Sequence, residues 1–259
     1  MSSTSELAKP AASATMPATL RRVAIVPARN EEGAIAAVVR EIRAFDPGLD
    51  VVVIDDGSAD RTAAVAAAAG AHVVRLPFNL GIGGAVQTGF RYALAHGFDI
   101  AVRLDGDGQH DAAQLPAVIG PILAGEADIV VGSRFAARDG HYRGPLARRL
   151  GIRLFAAIVS LLVGQRVTDT TSGFQALNRR GIALFAADYP HDYPEVEATV
   201  MVHRHRLRLL EVPVVMRERA AGSSSITALR SVYYIAKVLL ALFVGIFRRS
   251  VTPLEEDTE

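Results

Sequence analysis

Residues 22–54 read RVAIVPARNEEGAIAAVVREIRAFDPGLDVVVI, and this stretch decides the class of fold. Two runs rich in β-branched residues, Arg22 to Pro27 and Leu49 to Ile54, have the length of buried strands. Between them, Glu31 to Phe45 has the length and pattern of a helix, and a Pro-Gly pair closes it. The stretch therefore predicts a β-α-β unit with parallel strands.

The same alternation continues along the first half of the chain. The predicted elements are the Ala-rich segment Asp60 to Ala69, strand His72 to Leu76, helix Gly84 to His96, strand Ile100 to Leu104, helix Ala112 to Ala124 and strand Asp128 to Val131. Such alternation predicts an α/β fold whose mostly parallel sheet carries functional groups at the carboxyl ends of its strands. After Gly144 we expect an extension of the same domain, with an apolar helix near Pro145 to Val163, a polar turn at Thr168 to Gly173 and strands near Leu209 to Val215.

The composition excludes several classes of protein. The chain has 259 residues, half of them hydrophobic, which is enough for one large domain with appendages. Its 28 Lys and Arg balance 27 Asp and Glu, and the net charge of +1 argues against a general nucleic-acid binder. Because there is no Cys, disulfides, thiolate zinc sites and cysteine nucleophiles are excluded. Any metal must bind to oxygen or imidazole.

Two carboxylates follow the apolar strand that ends at Leu104. Asp105 and Asp107 are separated by Gly106, which permits close approach of the backbone. Two hard oxygen ligands suit Mg²⁺ or Mn²⁺, which take phosphate oxygens as further ligands. A solvated Asp-Gly turn is the alternative, but the succession QHD at residues 109–111 favours a metal site that neutralises a departing diphosphate.

A second acidic strand end lies at Asp55 and Asp56. A carboxylate there can accept hydrogen bonds from a ribose or a base edge. Ser58 or Asp60 can cap the following helix, and both interpretations hold together because they use different side chains. Glu31, after the first strand, is a further candidate for contact with a nucleotide.

The segment NLGIGG at residues 79–84 is a Gly-rich loop ahead of a predicted helix. A dinucleotide fingerprint needs Gly or Ala where Val86 stands, and the chain has no G-x-x-x-x-G-K-[ST] sequence. NAD, FAD and P-loop sites are therefore excluded. Close packing of the backbone at Gly84 beside a bound nucleotide is the functional interpretation, and a plain loop is the alternative.

Six segments in sequence order carry a family resemblance, and they are VPARNEE, VIDDGSADRT, NLGIGGAVQTG, LDGDGQHD, VGSR and DTTSGFQALNRR. Over roughly Arg22 to Ser225 they resemble the motif series of the family 2 inverting glycosyltransferases, specifically the dolichol-phosphate mannosyltransferase-like branch. The resemblance implies a GT-A fold, a GDP- or UDP-sugar donor and a divalent metal. One departure is Ile82, where that family often has a basic or small residue.

The resemblance also implies roles for individual residues. The implied metal ligands are Asp105 and Asp107, joined by Gln109. The predicted nucleotide-sugar site combines these aspartates with the strand-end acids and two glycines. Its residues are Pro27, Glu31, Asp55, Asp56, Gly84, Asp105, Gly106 and Asp107. Three arginines match positions that hold phosphates in relatives, and serines lie beside them. The predicted phosphate-binding residues are Ser133, Arg134, Arg217, Arg219 and Ser223. An Arg fork suits a phosphate, although solvated surface arginines are the alternative.

The acceptor decides whether a catalytic base is needed. A phosphate acceptor is already ionised near neutral pH, since its second pKa is about 6, and it needs positive charge instead. The candidate cations are Arg134, Arg143, Arg148, Arg149 and Arg153. A sugar hydroxyl would need a base, for which Glu195 or Glu197 is the candidate, with helix-start acids after Pro194 as the alternative. The predicted catalytic residues are Asp107, Arg134 and Glu195.

Two apolar stretches, Ile152 to Gly164 and Val232 to Phe247, suggest contact with a membrane. As a helix the second covers about 24 Å, short of the roughly 30 Å hydrocarbon core. Its tyrosines and flanking arginines fit a helix that lies in the interface. A buried core helix or an oligomer contact is the alternative.

The predicted organisation is a disordered tail over residues 1–20, a GT-A catalytic domain over 21–225, an apolar membrane-interface helix over 226–250 and an acidic tail over 251–259. The first twenty residues lack the basic start and apolar core of a signal peptide. We expect a cytoplasmic enzyme, peripheral at the inner face of the cytoplasmic membrane. The resemblance implies that a small integral-membrane protein can be a partner. We expect no nucleic-acid partner. The sequence does not decide between a monomer and an oligomer.

The predicted function is inverting transfer of a sugar from a GDP- or UDP-sugar to a polyprenyl (dolichyl-type) phosphate, with Mg²⁺ or Mn²⁺ as cofactor. Two alternatives stay open. One is transfer to a glycan or glycolipid hydroxyl, and the other is a non-catalytic nucleotide-sugar-binding subunit of a membrane complex.

Overall fold

A computed structural model of the chain describes residues 20–136, 154, 156–161, 163–190 and 194–217. The strands are β1 (Arg22–Ala28), β2 (Leu49–Asp55), β3 (His72–Arg75), β4 (Ile100–Arg103), β5 (Ile129–Ser133), β6 (Gln175–Asn178) and β7 (Leu209–Pro213). The helices are α1 (Ile35–Phe45), α2 (Thr62–Ala68), α3 (Gly81–Ala95), α4 (Leu115–Leu123), α5 (Arg179–Ala187) and α6 (Pro194–Arg204), and a short 3-10 turn (Ala112–Gln114) precedes α4.

The seven strands form one sheet in the order β3-β2-β1-β4-β6-β5-β7. β1 pairs in parallel with β2 and β4, β2 with β3, and β5 with β7. β6 is antiparallel to both of its neighbours, β4 and β5. The prediction of a mostly parallel sheet is confirmed, and the carboxyl ends of β1, β2, β4 and β5 share one edge.

The core lies on both faces of the sheet. Along β1, Ala24 and Val26 face α1, α2 and α4, whereas Val23 and Ile25 face α3, α5 and α6. Alternate residues of a strand point to opposite faces, so a strand covered on both sides must be apolar throughout. This explains why the strand segments appear in the sequence as continuous hydrophobic runs.

Several predicted boundaries differ from the structure. α1 begins at Ile35 rather than Glu31, because residues 32–34 form a turn before the helix. α3 begins at Gly81 rather than Gly84, so the predicted Gly-rich loop is in part the first turn of a helix. β6 and α5 were not predicted, because a four-residue strand followed by a helix with arginines at its start has neither a long apolar run nor a clear helical stripe.

Parts of the predicted organisation fall on residues that the structure does not describe. The tail over residues 1–19, the interfacial helix over 226–250 and the acidic tail over 251–259 lie outside the described residues. Of the apolar stretch 152–164, residues 156–161 are helical. Within the described part of the chain, no helix combines the length and the apolar character needed to cross a bilayer.

Candidate active site

A cleft of about 440 Å³ opens at the carboxyl ends of β1, β2 and β4. It is lined by Pro27, Ala28, Arg29, Glu31, Asp56, Asn79, Gly81, Ile82, Ala85, Arg103, Asp105, Gly106, Asp107 and Glu195. The parallel strands explain this meeting, since each of them delivers the residues after its carboxyl end to the same edge of the sheet. The predicted strand-end acids Glu31, Asp56, Asp105 and Asp107 are thus brought together.

Asp56 connects the end of β2 to the start of α3. Its Oδ1 accepts a hydrogen bond from the backbone N of Leu80 at 2.6 Å, and its Oδ2 accepts one from the backbone N of Gly81 at 3.0 Å. Gly81 has a φ of 80°, in the left-handed region that Gly adopts without strain. A carboxylate at the amino end of a helix satisfies unpaired N–H groups and is favoured by the helix dipole. This capping explains why the helix begins at Gly81.

Asp55, although adjacent, is placed differently. Its side chain is fully buried, Oδ1 accepts a hydrogen bond from the backbone N of Ser58 at 3.1 Å, and Oδ2 lies 3.4 Å from Nε of Arg75. Asp55 is not among the described residues that line the cleft. It holds the turn that presents Asp56.

The two glycines predicted at the site have different surroundings. Gly106 lines the cleft, and a Cβ there would approach the Cβ of Ala28 and the carbonyl oxygen of Pro27, each at 3.1 Å. Gly84 lies inside α3, where a Cβ would come within 2.6 Å of the Cβ of Leu80. Gly106 therefore permits close approach of the backbones that form the cleft floor, whereas Gly84 permits the packing of Leu80.

The loop with Asp105 and Asp107 is held by hydrogen bonds of its own. Oδ1 of Asp107 accepts a hydrogen bond from the backbone N of Gln109 at 3.0 Å. The backbone N of Asp105 donates to Nδ1 of His110 at 2.9 Å. Gln109, predicted as a third metal ligand, is half-buried and does not line the described cleft, and its carbonyl accepts a hydrogen bond from the backbone N of Arg217 at 2.9 Å.

His110 is a buried support for Asp105. Its ring stacks on Phe174 with centroids 5.1 Å apart, and its Nε2 lies 3.7 Å from Oδ2 of Asp105. Burial lowers the pKa of His110, and Arg103 lowers it further, which together outweigh the Asp105 carboxylate that by itself raises it. A neutral ring that accepts at Nδ1 carries its proton on Nε2, which is the nitrogen beside the Asp105 carboxylate.

Arg103 is a cleft residue that the sequence interpretation missed. Its side chain is only 2% exposed, and its guanidinium donates to the hydroxyl oxygen of Tyr189 at 3.1 Å and to Oε1 of Glu195 at 2.9 Å. The nitrogen that donates to Glu195 also lies 3.6 Å from Oδ1 of Asp105. Burial by itself lowers the pKa of Arg103, but Tyr189, Glu195 and Asp105 together raise it above its ordinary value. The signal in the sequence was a lone charge inside an apolar strand.

Tyr189 and Glu195 complete this buried arrangement. Burial raises the pKa of Tyr189 well above its ordinary value, so its hydroxyl stays protonated. Glu195 lies in the first turn of α6, directly after Pro194, and lines the cleft. The candidate base therefore reaches the cleft, but as the ion-pair partner of Arg103.

Arg134, predicted to bind phosphate, is held by a buried carboxylate. Its Nε and one terminal nitrogen donate to the two oxygens of Asp169 at 2.7 and 2.8 Å. Ser133 is buried, and its Oγ lies 2.7 Å from Oγ1 of Thr168. The backbone N of Thr168 and the backbone N of Asp169 both donate to the carboxylate of Glu211. Burial raises the pKa of Glu211. Neither Ser133 nor Arg134 lines the described cleft.

The remaining predicted phosphate contacts lie elsewhere or are not described. Arg217 donates to both carboxylate oxygens of Glu41 at 2.8 and 2.7 Å and lies 2.8 Å from Oδ1 of Asp111. Arg219 and Ser223 lie outside the described residues. Their phosphate-binding roles stay predictions.

Comparison with known proteins identifies the family. The model of "Glycosyl transferase family 2" matches residues 23–184, which is more than half of the chain and runs from the second residue of β1 past the end of β6. The chain belongs to glycosyl transferase family 2. The family resemblance seen in the motifs and the assignment as a glycosyltransferase are thereby confirmed.

Curated relatives of this family 2 glycosyltransferase include polyprenyl-phosphate sugar transferases. It is 31% identical to an undecaprenyl-phosphate mannosyltransferase of Micrococcus luteus, over 80% of this chain and 88% of the relative. It is 30% identical to the polyprenol monophosphomannose synthase of Mycolicibacterium smegmatis, over 83% of this chain and 84% of the relative. These relatives support the branch that the resemblance indicated.

A solved structure supports the fold. The glucosyl-3-phosphoglycerate synthase of Mycobacterium tuberculosis, crystallised with Mn²⁺, UDP and glucosyl-3-phosphoglycerate, is 26% identical with a TM-score of 0.65. The match covers 89% of this chain and 81% of that chain. The predicted GT-A fold, a mostly parallel sheet flanked by helices, is confirmed.

Proposed function

We propose that this family 2 glycosyltransferase moves a sugar from a GDP- or UDP-sugar to a polyprenyl phosphate at a membrane surface. The observation that carries the proposal is that one cleft joins Glu31 and Asp56, from the β1 and β2 ends, to the pair Asp105 and Asp107. Relatives that act on undecaprenyl and polyprenol phosphates match this chain over four fifths of its length.

The donor set of the cleft fits a hard divalent cation. Among the described residues, five carboxylates and two arginines line the cleft, so a diphosphate would meet an acidic surface unless a cation accompanied it. Asp105 and Asp107 would hold Mg²⁺ or Mn²⁺, and Gln109 stays a predicted third ligand. The bound cation would neutralise the charge that develops on the leaving diphosphate.

The remaining donor contacts follow from the position of each residue in the cleft. Glu31 and Asp56 are the proposed partners of the nucleoside, with Pro27 as an apolar wall. Gly106 lets the diphosphate approach the backbone. Ile82 also lines the cleft, and it supplies apolar contact where relatives often carry a basic or small residue.

A phosphate acceptor agrees with the ion pair that Glu195 forms with Arg103. The attacking phosphate oxygen is ionised near neutral pH, so the transfer needs no proton acceptor. Glu195 is paired with the buried Arg103, an arrangement suited to fixed charge rather than to proton transfer. Arg134, together with Arg217, Arg219 and the serines at 133 and 223, remains the proposed source of contacts to the acceptor phosphate.

Transfer to a glycan or glycolipid hydroxyl is the second candidate. The observation that favours it is that the carboxylate of Glu195 lines the same cleft as Asp105. A hydroxyl acceptor needs a base within hydrogen-bond reach, and Glu195 is the acid of α6 that lines the described cleft. Replacement of Glu195 by Gln would abolish this reaction but leave a phosphate acceptor reactive.

The location follows from the acceptor. A polyprenyl phosphate is held in a bilayer, so we place the enzyme at the inner face of the cytoplasmic membrane, where nucleotide sugars are available. The apolar segment 226–250 is the proposed membrane contact, directly or through a small integral-membrane partner.

The test is a transfer reaction with the full chain. Mn²⁺ or Mg²⁺, a panel of GDP- and UDP-sugars and a short polyprenyl phosphate are incubated together, and sugar-phosphate-lipid is measured by mass spectrometry. The wild type should form product with one donor, and Asp107→Ala should form none. Asp50→Ala is the matched control, because Asp50 is an exposed acid of β2. Product from Asp107→Ala at the wild-type rate would sink the proposal.

A further inference from the structure

Arg103 is the buried cation between two cleft carboxylates. One of its terminal nitrogens lies 2.9 Å from Oε1 of Glu195 and 3.6 Å from Oδ1 of Asp105. The hydroxyl of Tyr189 fixes another nitrogen of the same guanidinium at 3.1 Å. Without this cation, the two carboxylates would be near neighbours with like charge in a partly buried cleft.

The number of carboxylates around a divalent cation matters for a transferase. Mg²⁺ and Mn²⁺ accept carboxylate oxygens readily, and each protein ligand occupies a position that a diphosphate oxygen would otherwise take. Within the described residues, the acids and histidines form no group of three or more able to hold a metal ion, and Glu195 is turned toward Arg103 instead. The pairing therefore leaves Asp105 and Asp107 to bind the metal.

We propose that Arg103 is a positioning residue that keeps Glu195 out of the metal's ligand set. By holding Oε1 of Glu195, the guanidinium would leave a cation held by Asp105 and Asp107 accessible to the diphosphate. Arg103 has this role without contacting the reacting atoms. The inference rests on the proposed metal-dependent function and adds a residue to it.

The first measurement is the affinity of the full chain for Mn²⁺ alone, by electron paramagnetic resonance of free Mn²⁺, with no donor present. Arg103→Gln should bind Mn²⁺ roughly tenfold more tightly than the wild type, because the released Glu195 joins the metal as a further carboxylate ligand. Glu195→Gln should bind Mn²⁺ no more tightly than the wild type, because Glu195 is not a ligand and its loss leaves the charge of Arg103 unpaired beside Asp105. The double variant should lose the gain.

The second measurement is turnover. Arg103→Gln should lower kcat/KM for the donor at saturating Mn²⁺ by one to two orders of magnitude, because a metal that Glu195 also ligates would bind the diphosphate less well. Arg91→Gln is the control, since Arg91 is an exposed arginine of α3 that is not among the described cleft residues and donates to the carbonyl of Ala186 at 3.0 Å. Arg103→Lys, which keeps the charge, should bind Mn²⁺ with an affinity between those of the wild type and Arg103→Gln, because an ammonium cannot reproduce the fork geometry.

The outcomes separate the inference from the function on which it rests. If the wild type binds Mn²⁺ no better than Asp107→Ala, the metal site and the proposed function fail. If the wild type binds Mn²⁺ but Arg103→Gln does not bind it more tightly, the role of Arg103 is refuted. If the effects of Arg103→Gln and Glu195→Gln on the Mn²⁺ affinity are additive in the double variant, the two side chains act through charge alone. The proposed role of Arg103 is then refuted as well. Should Arg103→Gln not fold, an Mn²⁺ affinity of Arg103→Lys no higher than that of the wild type would still contradict the proposal.

Discussion

At the scale of the residue, Asp56 serves the fold and the cleft with one side chain. Its two oxygens accept from the backbone N of Leu80 and of Gly81, while the same carboxylate lines the cleft. The residue therefore couples the start of α3 to the proposed nucleotide position. A change at Asp56 must affect both stability and ligand binding.

Replacement of Asp56 by Asn tests this coupling. An amide offers one oxygen and one N–H₂ group to two donors, so one backbone N–H loses its acceptor. We expect the free energy of unfolding to fall by about 1–3 kcal/mol. Affinity for UDP or GDP in the presence of Mn²⁺ should fall roughly tenfold. Urea unfolding and titration calorimetry measure the two effects, and Asp50→Asn serves as control. Unchanged stability would contradict the capping role.

The same scale shows which parts of the site could be predicted from sequence. Asp105, Asp107, Asp56 and Glu31 follow strands, and parallel strands end at one edge, so their meeting could be predicted. Arg103 could not, because its partners Tyr189 and Glu195 lie far along the chain. For Arg134 and Arg217 the sequence shows the cations but not the carboxylates that hold them in the fold.

At the scale of the element, the start of β5 is fastened to its neighbours by Asp128. Its side chain is buried and accepts hydrogen bonds from Asn178 at the end of β6 and from Arg208 just before β7, and it lies 3.3 Å from Arg180 of α5. Burial alone raises the pKa of Asp128, but these partners lower it to about 2. The sign follows from linkage, because a lowered pKa stabilises the fold only where the carboxyl is ionised.

Asp128→Asn should therefore destabilise the protein in a pH-dependent manner. At pH 7 we expect a loss of about 1–2 kcal/mol, reduced from the full linkage value because both arginine partners are more than half exposed. The difference between variant and wild type should shrink as the pH falls from about 4 toward 2, where the wild-type carboxyl becomes protonated. Urea unfolding at several pH values measures it. A difference that is constant with pH would contradict this account.

The contact between α3 and β1 makes a second prediction for an element. Gly89 of α3 faces Ile25, and an added Cβ would come within 2.2 Å of its Cγ2. Gly89→Ala should cost about 1–3 kcal/mol, since the helix must move away from the sheet. Gly120→Ala in α4 is the matched control, because a Cβ there meets no atom within 4 Å, and it should stay within about 1 kcal/mol of the wild type. Equal melting temperatures of the two variants would refute the close approach.

Elements were predictable where burial imposed a pattern. β1, β2, β4 and β5 lie between two layers of helices, so their apolar runs are long enough to recognise. β6 contains only four residues, and its position between β4 and β5 depends on pairing with strands distant in sequence. The start of α3 was set by Asp56, a contact that local sequence does not reveal.

At the scale of the whole molecule, charge is balanced overall but not locally. The chain has a net charge of +1, whereas the described lining of the cleft has five carboxylates and two arginines. One of those arginines, Arg103, already bridges Glu195 and Asp105. An anionic nucleotide should therefore bind here only together with a cation.

Removal of divalent cations tests this balance. We expect EDTA to weaken the affinity for UDP or GDP at least tenfold, and Mn²⁺ or Mg²⁺ to restore it, because like charges in a cleft repel strongly. Titration calorimetry of the full chain at constant ionic strength measures the effect. High ionic strength without a divalent cation is the control, since general screening should not replace the specific ion. Nucleotide affinity unaffected by EDTA would exclude the proposed metal site.

The antiparallel direction of β6 has a consequence for the segment that connects it to β5. β5 ends at the edge of the sheet where the cleft lies, and β6 begins at that same edge, with Gln175 opposite both Arg103 and Val131. The end of β5 and the start of β6 therefore lie side by side, and the ion pair between Arg134, just after β5, and Asp169, before β6, links the two ends of the segment between these strands. Lengthening the segment between β5 and β6 costs little free energy and does not change the register of the strands. Changes in the length of this segment therefore leave the paired strands β1, β2 and β4, and the cleft residues that follow them, in place.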